Sequence, residues 1–255
     1  MNSNWIGFKT LIRRELLRMF SIPAQTIFPP IISSVLFILI FGFFMGTNLP
    51  SVAGVDFKAF FIPGLIMMNV IITAYSNTAF SLYLKRFLED INDLLVTPLS
   101  YTELVLGFVF GGTIRATFIG VIIYCVGALM TPLPMYNLPL FLFFTIGASI
   151  LFSAMGIVVG LWAEDFDQVE IFTVFLLTPL TFLGGVFHSV KLLPEFLQQL
   201  SALNSLFYLI DGLRYSVIGQ AEGNILIAMA IVIVLCTGLL YWDMHLFKKG
   251  WKLRT

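Results

Sequence analysis

The chain has 255 residues, of which 59% are apolar and only 11% charged, with a mean hydropathy of +0.98; soluble domains carry about 25% charged residues. This excludes a soluble globular protein and points to an all-α integral membrane protein. Fourteen basic and fourteen acidic residues cancel, which leaves no basic surface for nucleic acid.

Residues 4–20 come first. Trp5, Phe8, Ile12, Leu16 and Met19 share one helix face and Arg14 and Arg18 lie opposite, the pattern of an amphipathic helix at the membrane interface. The first apolar run starts only near Ile27 and no small-x-small site follows it, so no cleaved leader is expected. A bilayer core of about 30 Å needs roughly 20 apolar residues per helix. Six segments reach that length: 27–46, 60–83, 104–130, 138–162, 169–187 and 223–243. An even number places both termini on one side. Lys9, Arg13, Arg14 and Arg18 precede the first span, Lys85 and Arg86 follow the second, and Lys248, Lys249, Lys252 and Arg254 follow the sixth. The opposite side holds Lys58, Lys191 and Arg214. The positive-inside rule therefore predicts cytoplasmic termini and a cytoplasmic 84–103 loop.

That loop contains a compact polar insert, residues 85–98, with five of the 28 charges. Phe87, Leu88, Ile91, Leu94 and Leu95 recur at helical spacing and Pro98 closes the run. A short amphipathic helix between two spans is too short to cross and has the shape of a docking element. Residues 131–137 form a tight uncharged outer turn and 163–170 a short acidic inner one. Residues 188–222 are the largest outer segment. Leu193, Phe196, Leu197 and Leu200 recur around Pro194, and a second apolar run leads into Asp211-Gly212-Leu213-Arg214. Two short re-entrant helices before the sixth span suit this pattern, and a surface-lying helix is the alternative.

Little here suits catalysis. His188 and His245 stand apart from any carboxylate or cysteine cluster with metal spacing, and Cys125 and Cys236 fall inside apolar spans. Gly111-Gly112-Thr113 lacks the lysine of a phosphate-binding loop, so no cofactor is expected on this chain. Arg115 lies deep in the third span, where an unpaired guanidinium costs about 2.5–3.5 kcal/mol on insertion scales. It is expected to be paired, either on a translocation path or as an interhelical lock, with Glu170 as one candidate partner. The second span carries Asn69, Thr73, Tyr75, Ser76, Asn77, Thr78 and Ser81, which line a wet path or bond helix to helix. Gly42/Gly46, Gly107/Gly111 and Gly156/Gly160 are spaced for close helix approach.

These residues carry a resemblance. Phe61-Ile62-Pro63-Gly64-Leu65-Ile66-Met67-Met68, Asp93-Leu94-Leu95-Val96-Thr97-Pro98-Leu99-Ser100, Gly111-Gly112-Thr113-Ile114-Arg115 and Pro179-Leu180-Thr181-Phe182-Leu183-Gly184-Gly185-Val186-Phe187 together resemble the permease subunits of ABC-2 type transporters. The likeness covers essentially the whole chain. One departure is Asn204-Ser205, where relatives often have Asn-Pro, which puts the local kink in question. The resemblance implies a bacterial inner-membrane exporter, a second permease copy and a separate ATPase subunit that binds ATP and Mg. It also implies that the insert is a coupling helix: Arg86, Phe87, Leu88, Glu89, Asp90, Ile91, Asp93, Leu94, Leu95 and Pro98. The apolar members are expected in an ATPase groove, with the charges setting register. An ion-coupled secondary transporter, or a non-transporting scaffold, is the alternative. The former usually needs carboxylates near span centres.

Overall fold

The computed structural model describes residues 5–45, 51–52, 54–88, 90–91 and 96–252, the side chains of 43–45 excepted. Among them, six helices are long and apolar enough to cross a membrane: Pro23–Gly42, Phe57–Phe87, Tyr101–Met130, Leu138–Trp162, Phe166–Leu183 and Ile225–Lys249. Each overlaps the segment expected from hydropathy, with edges moved by a few residues. We number them spans one to six.

The boundaries have local causes. Asp56 accepts a hydrogen bond from the Lys58 amide (3.1 Å) at the start of span two, behind a small hairpin pairing Ser51–Val52 with Val55–Asp56. Ser100 and Glu103 form a reciprocal capping box that starts span three just beyond Pro98; such a cap satisfies two otherwise orphaned amides. Spans one and five each contain a π-helical stretch, Ile38–Met45 and Thr173–Leu177. In span five the stretch ends next to Pro179, whose missing amide cannot continue the ladder. The Thr178 hydroxyl bonds the Thr173 carbonyl there (3.0 Å), which also accepts from the Thr178 amide.

Span two is the hub. It is buried along 78% of its most apolar stretch, against 17% for spans one and six and 22% for span five. It packs most extensively on spans four and three. Gly156 and Gly160 make this possible: a Cβ at Gly156 would stand 2.7 Å from the Tyr75 carbonyl oxygen, and one at Gly160 2.8 Å from that of Ala79. This glycine pair therefore serves packing within the chain. Gly42 has only ordinary contacts, and its partner Gly46 lies outside the described residues.

The outer segment folds as two helices, Glu195–Leu203 and Ser205–Ile218. Asn204 turns the corner between them. Its side chain accepts from the Leu206 amide (3.0 Å) and donates to the Leu180 carbonyl (2.6 Å). Asn204 thus caps the second helix, with Ser205 at its first position. The second helix packs against spans two, four and six. The 131–137 turn holds its far end, where the Tyr136 and Asn137 amides bond the Val217 and Ser216 carbonyls.

Candidate functional site

The amino-terminal helix, Trp5–Ser21, lies along span three. Leu11 sits on Gly107, Glu15 on Gly111, and the Phe20 ring meets Phe118 at 6.1 Å. This order makes the two helices run in the same direction. The Gly107/Gly111 groove therefore receives a ridge of the amino-terminal helix. The buried row is Leu11, Glu15 and Met19, rotated from the expected face, and Trp5 is exposed. Small residues in one helix admit such a ridge at close range.

Glu15 is the anion at the centre of this contact and is 5% exposed. Its carboxylate accepts from Lys85 Nζ (2.7 Å) and Ser81 Oγ (2.9 Å). Arg18 stands 4.0 Å away on the other side. Burial pulls the Glu15 carboxyl upward, but Lys85 and then Arg18 outweigh it, with the two hydrogen bonds, and hold it below its ordinary value. The carboxylate is therefore ionised at neutral pH.

One helical turn further along span two is Asn77. Its Oδ1 accepts from both Arg18 Nη2 (3.2 Å) and Arg115 Nη1, and its carbonyl also accepts from Arg18 (3.4 Å). Arg115 Nη2 reaches the Thr26 carbonyl at 3.5 Å. Asn77, Ser81 and Lys85 are spaced i, i+4, i+8 on one face of span two. They form a polar ladder from the middle of span three to the root of the insert. Arg115 is thus paired with Asn77 and Thr26 and not with Glu170. Glu170, the expected candidate, sits in the first turns of span five.

The other polar residues of span two divide. Asn69 donates to its own Leu65 carbonyl (2.9 Å) and Tyr75 OH to the Val169 carbonyl of span five (2.9 Å). Both are buried inside the subunit. Thr73 is half-buried on the less covered side.

At the insert, the chain turns inward before it turns outward. Arg86 Nη1 donates to the Gly160 (2.9 Å) and Ala163 (3.1 Å) carbonyls at the end of span four. Lys252 bonds the neighbouring Trp162 carbonyl (3.1 Å) and Glu164 (2.8 Å). Two cations therefore cap one helix carboxyl end, where orphan carbonyls and the helix dipole favour them. Asp90 pairs at 3.9 Å with Arg14 of the amino-terminal helix. Ile91, expected on the docking face, is only 5% exposed and belongs to an apolar cluster with Leu11, Leu104 and Phe247. Phe87, Leu88 and Val96 are 68%, 61% and 86% exposed, and Pro98 is exposed as well. Glu89, Asp93, Leu94 and Leu95 lie outside the described residues.

The outer end has its own polar cluster. Arg214, fully buried, donates to the carbonyls of Gly185 (2.6 Å) and Phe60 (3.2 Å), stacks 3.8 Å over the Phe60 ring and stands 4.0 Å from Asp211. Asp211 accepts from the Glu222 and Gly223 amides, both at 2.9 Å. Asp211 and Arg214 thus tie the second outer helix to the outer ends of spans two, five and six. Pro194 caps the first outer helix, on which Phe196 is exposed. Among the described residues no group of three or more metal-ligating side chains is assembled.

A family profile described as ABC-2 type transporter matches residues 6–218. The chain belongs to the ABC-2 type transporter family. It is 33% identical to the inner membrane transport permease YadH of Escherichia coli K12 over the full length of both chains. Nodulation protein J of Rhizobium leguminosarum bv. viciae is 23% identical over 91% of this chain and 88% of its own. A probable multidrug ABC transporter permease, YbhR of Escherichia coli K12, is 26% identical over 61% of this chain and 43% of its own. The protein is therefore a multi-pass inner-membrane transport permease.

Sequence reasoning missed Glu15, Arg18 and Lys85 as members of the site. The signal was present: Glu15 falls among Leu11, Ile12, Leu16 and Met19 on the apolar side of an amphipathic helix, and a carboxylate there needs a cation.

Proposed function

We propose that this chain is the membrane subunit of an ATP-driven exporter and that a separate ATPase subunit, holding ATP and Mg, drives it through the 85–98 insert. One observation carries this reading: Phe87, Leu88 and Val96 are exposed on the loop between spans two and three, while Arg86 and Ile91 beside them are anchored in the permease. An exposed apolar edge on an anchored base suits a groove in a partner. Motion of that edge passes through Ile91 and Asp90 to the amino-terminal helix, and through Arg86 to span four. The Glu15–Lys85 pair then hands it to the ladder ending at Arg115. In this reading the amino-terminal helix starts at the cytoplasmic face and runs beside span three instead of lying flat at the interface, both termini are cytoplasmic, and the two outer helices re-enter the outer leaflet. Two permease copies surround the pathway, with membrane lipid outside. The cargo is amphiphilic, lipid-linked, drug-like or saccharide; the name of one relative, a probable multidrug ABC transporter permease, supports the drug-like part of that range.

The test is F87D/L88D. We expect normal insertion and folding, with ATP hydrolysis uncoupled from transport. I91D should instead lower stability, because it places a charge in the core. Normal transport by F87D/L88D sinks the coupling role.

One observation favours a second reading, an ion-coupled transporter. Asp243 of span six is fully buried and neither carboxylate oxygen has a hydrogen-bond partner among the described residues. Intramembrane carboxylates of that kind mark proton paths. Transport that survives nucleotide depletion, follows an ion gradient and stops in D243N decides for it, as does the absence of any ATPase from the purified complex.

A further inference from the structure

Arg18 and Arg115 share one acceptor, Asn77 Oδ1. A hydrogen bond spans about 3 Å, so the two donor nitrogens are no more than about 6 Å apart. Two guanidinium groups so close repel each other unless an anion joins them. The carboxylate nearest to them is Glu15, and it is already occupied by Lys85 and Ser81. Arg18 and Lys85 both face Glu15, Arg115 shares Asn77 with Arg18, and the next ion pair, Arg14 with Asp90, adds no net charge, so three cations stand around one anion. Ten N–H donors of two arginines meet only neutral oxygens and the remote edge of Glu15. Arg115 Nε is buried without an acceptor. The arrangement is thus short of negative charge and of acceptor oxygens together.

The cluster is not sealed. The Arg18 side chain is 34% exposed. Exposed apolar side chains flank the two arginines along their helices: Phe20 and Ile22 follow Arg18, and Ile114 and Phe118 lie next to Arg115 on span three, with the Phe20 and Phe118 rings meeting at 6.1 Å. Apolar side chains around a cationic centre fit an amphiphile whose head carries the missing anion. Arginine favours phosphate because its planar fork can bond two oxygens at once.

We propose that Arg18 and Arg115 form a binding site for an amphiphile with an anionic phosphate head, the apolar collar of Phe20, Ile22, Ile114 and Phe118 taking its chains. The phosphate completes the arginine pair and so tightens the amino-terminal helix on spans two and three. The site goes beyond the coupling reading and does not depend on an ATPase partner.

The experiment uses the full-length permease purified in neutral detergent, with retained lipid counted by native mass spectrometry. Dioleoylphosphatidylglycerol should be retained about tenfold more than dioleoylphosphatidylcholine. R18Q and R115Q should each lose that preference, whereas R13Q, which removes an exposed cation of the same helix, should keep it within about twofold. R18Q changes a partly exposed residue and keeps the test valid where R115Q fails to fold. R18K should recover part of the preference, since it restores charge without the fork. Inorganic phosphate at millimolar concentration separates the sources. Retention of the lipid is expected, because the chains add to the head's contacts; full displacement would show that the arginines take a free phosphate group, which overturns the amphiphile. Wild-type lipid preference in R18Q, or an equal loss in R13Q, overturns it.

Discussion

The Glu15–Lys85 pair joins the amino-terminal helix to the inner end of span two, and its removal gives the sharpest test of the packing described above. A surface ion pair contributes about 0–1 kcal/mol. This pair is not of that kind: its side chains are 3% and 7% exposed and the contact is 2.7 Å. Breaking a buried pair by removing one partner costs about 3–5 kcal/mol, because the survivor is left as an uncompensated charge, while replacing both with apolar residues is often close to neutral. E15L and K85M should therefore each destabilise the purified permease by about 3–5 kcal/mol. The double variant E15L/K85M should lose well under the sum of the two single losses, because no unpaired Lys85 charge is left buried, although Arg18 and Ser81 still lose their acceptor. Denaturant unfolding followed by circular dichroism measures all four proteins. Two strictly additive losses, or single losses below about 1 kcal/mol, refute the reasoning. The pH dependence has a definite sign. The Glu15 carboxyl lies below its ordinary 4.5 when folded, so its contribution is complete above that value and is lost as pH falls through the lower folded-state value. The stability gap between wild type and E15Q should stay constant above about pH 5 and narrow as the pH falls below 4.5.

Three further outcomes follow from the packing. G156A should cost about 1–3 kcal/mol, since its methyl group meets span-two backbone, whereas G238A, with open space around it, should be neutral or slightly stabilising in the same unfolding assay. R214M leaves two carbonyls and Asp211 without their cation in a sealed site and should cost about 3–5 kcal/mol; R214K should not rescue it, because one ammonium cannot replace a stacked fork bonded to two carbonyls. N204A removes a helix cap and a bond to Leu180 and should lower stability by about 1–2 kcal/mol, with N204D keeping the cap and losing the donor.

The membrane class and the six spans were legible from residue order because both depend on local sums. Hydropathy adds along about 20 residues, and bilayer thickness sets that length. The insert between spans two and three was legible for a related reason: its charges interrupt an apolar chain, and Pro98 ends it. The interior of the site was not. Arg115 demanded a partner from its depth alone, but the partner is Asn77, 38 residues away, together with the Thr26 carbonyl. Glu15 meets a lysine 70 residues distant. Periodicity put Ile91 on one face with Phe87 and Leu88, yet the turn after span two sends Ile91 into the core and leaves the other two outside. Side-chain spacing states which residues share a face, and only the packing of Leu11, Leu104 and Phe247 around Ile91 states which way that face points. The sequence by itself therefore determined what crosses the membrane and where the polar interruption lies. The tertiary structure decided which charges neutralise one another, because pairing energy depends on distances that residue order leaves open.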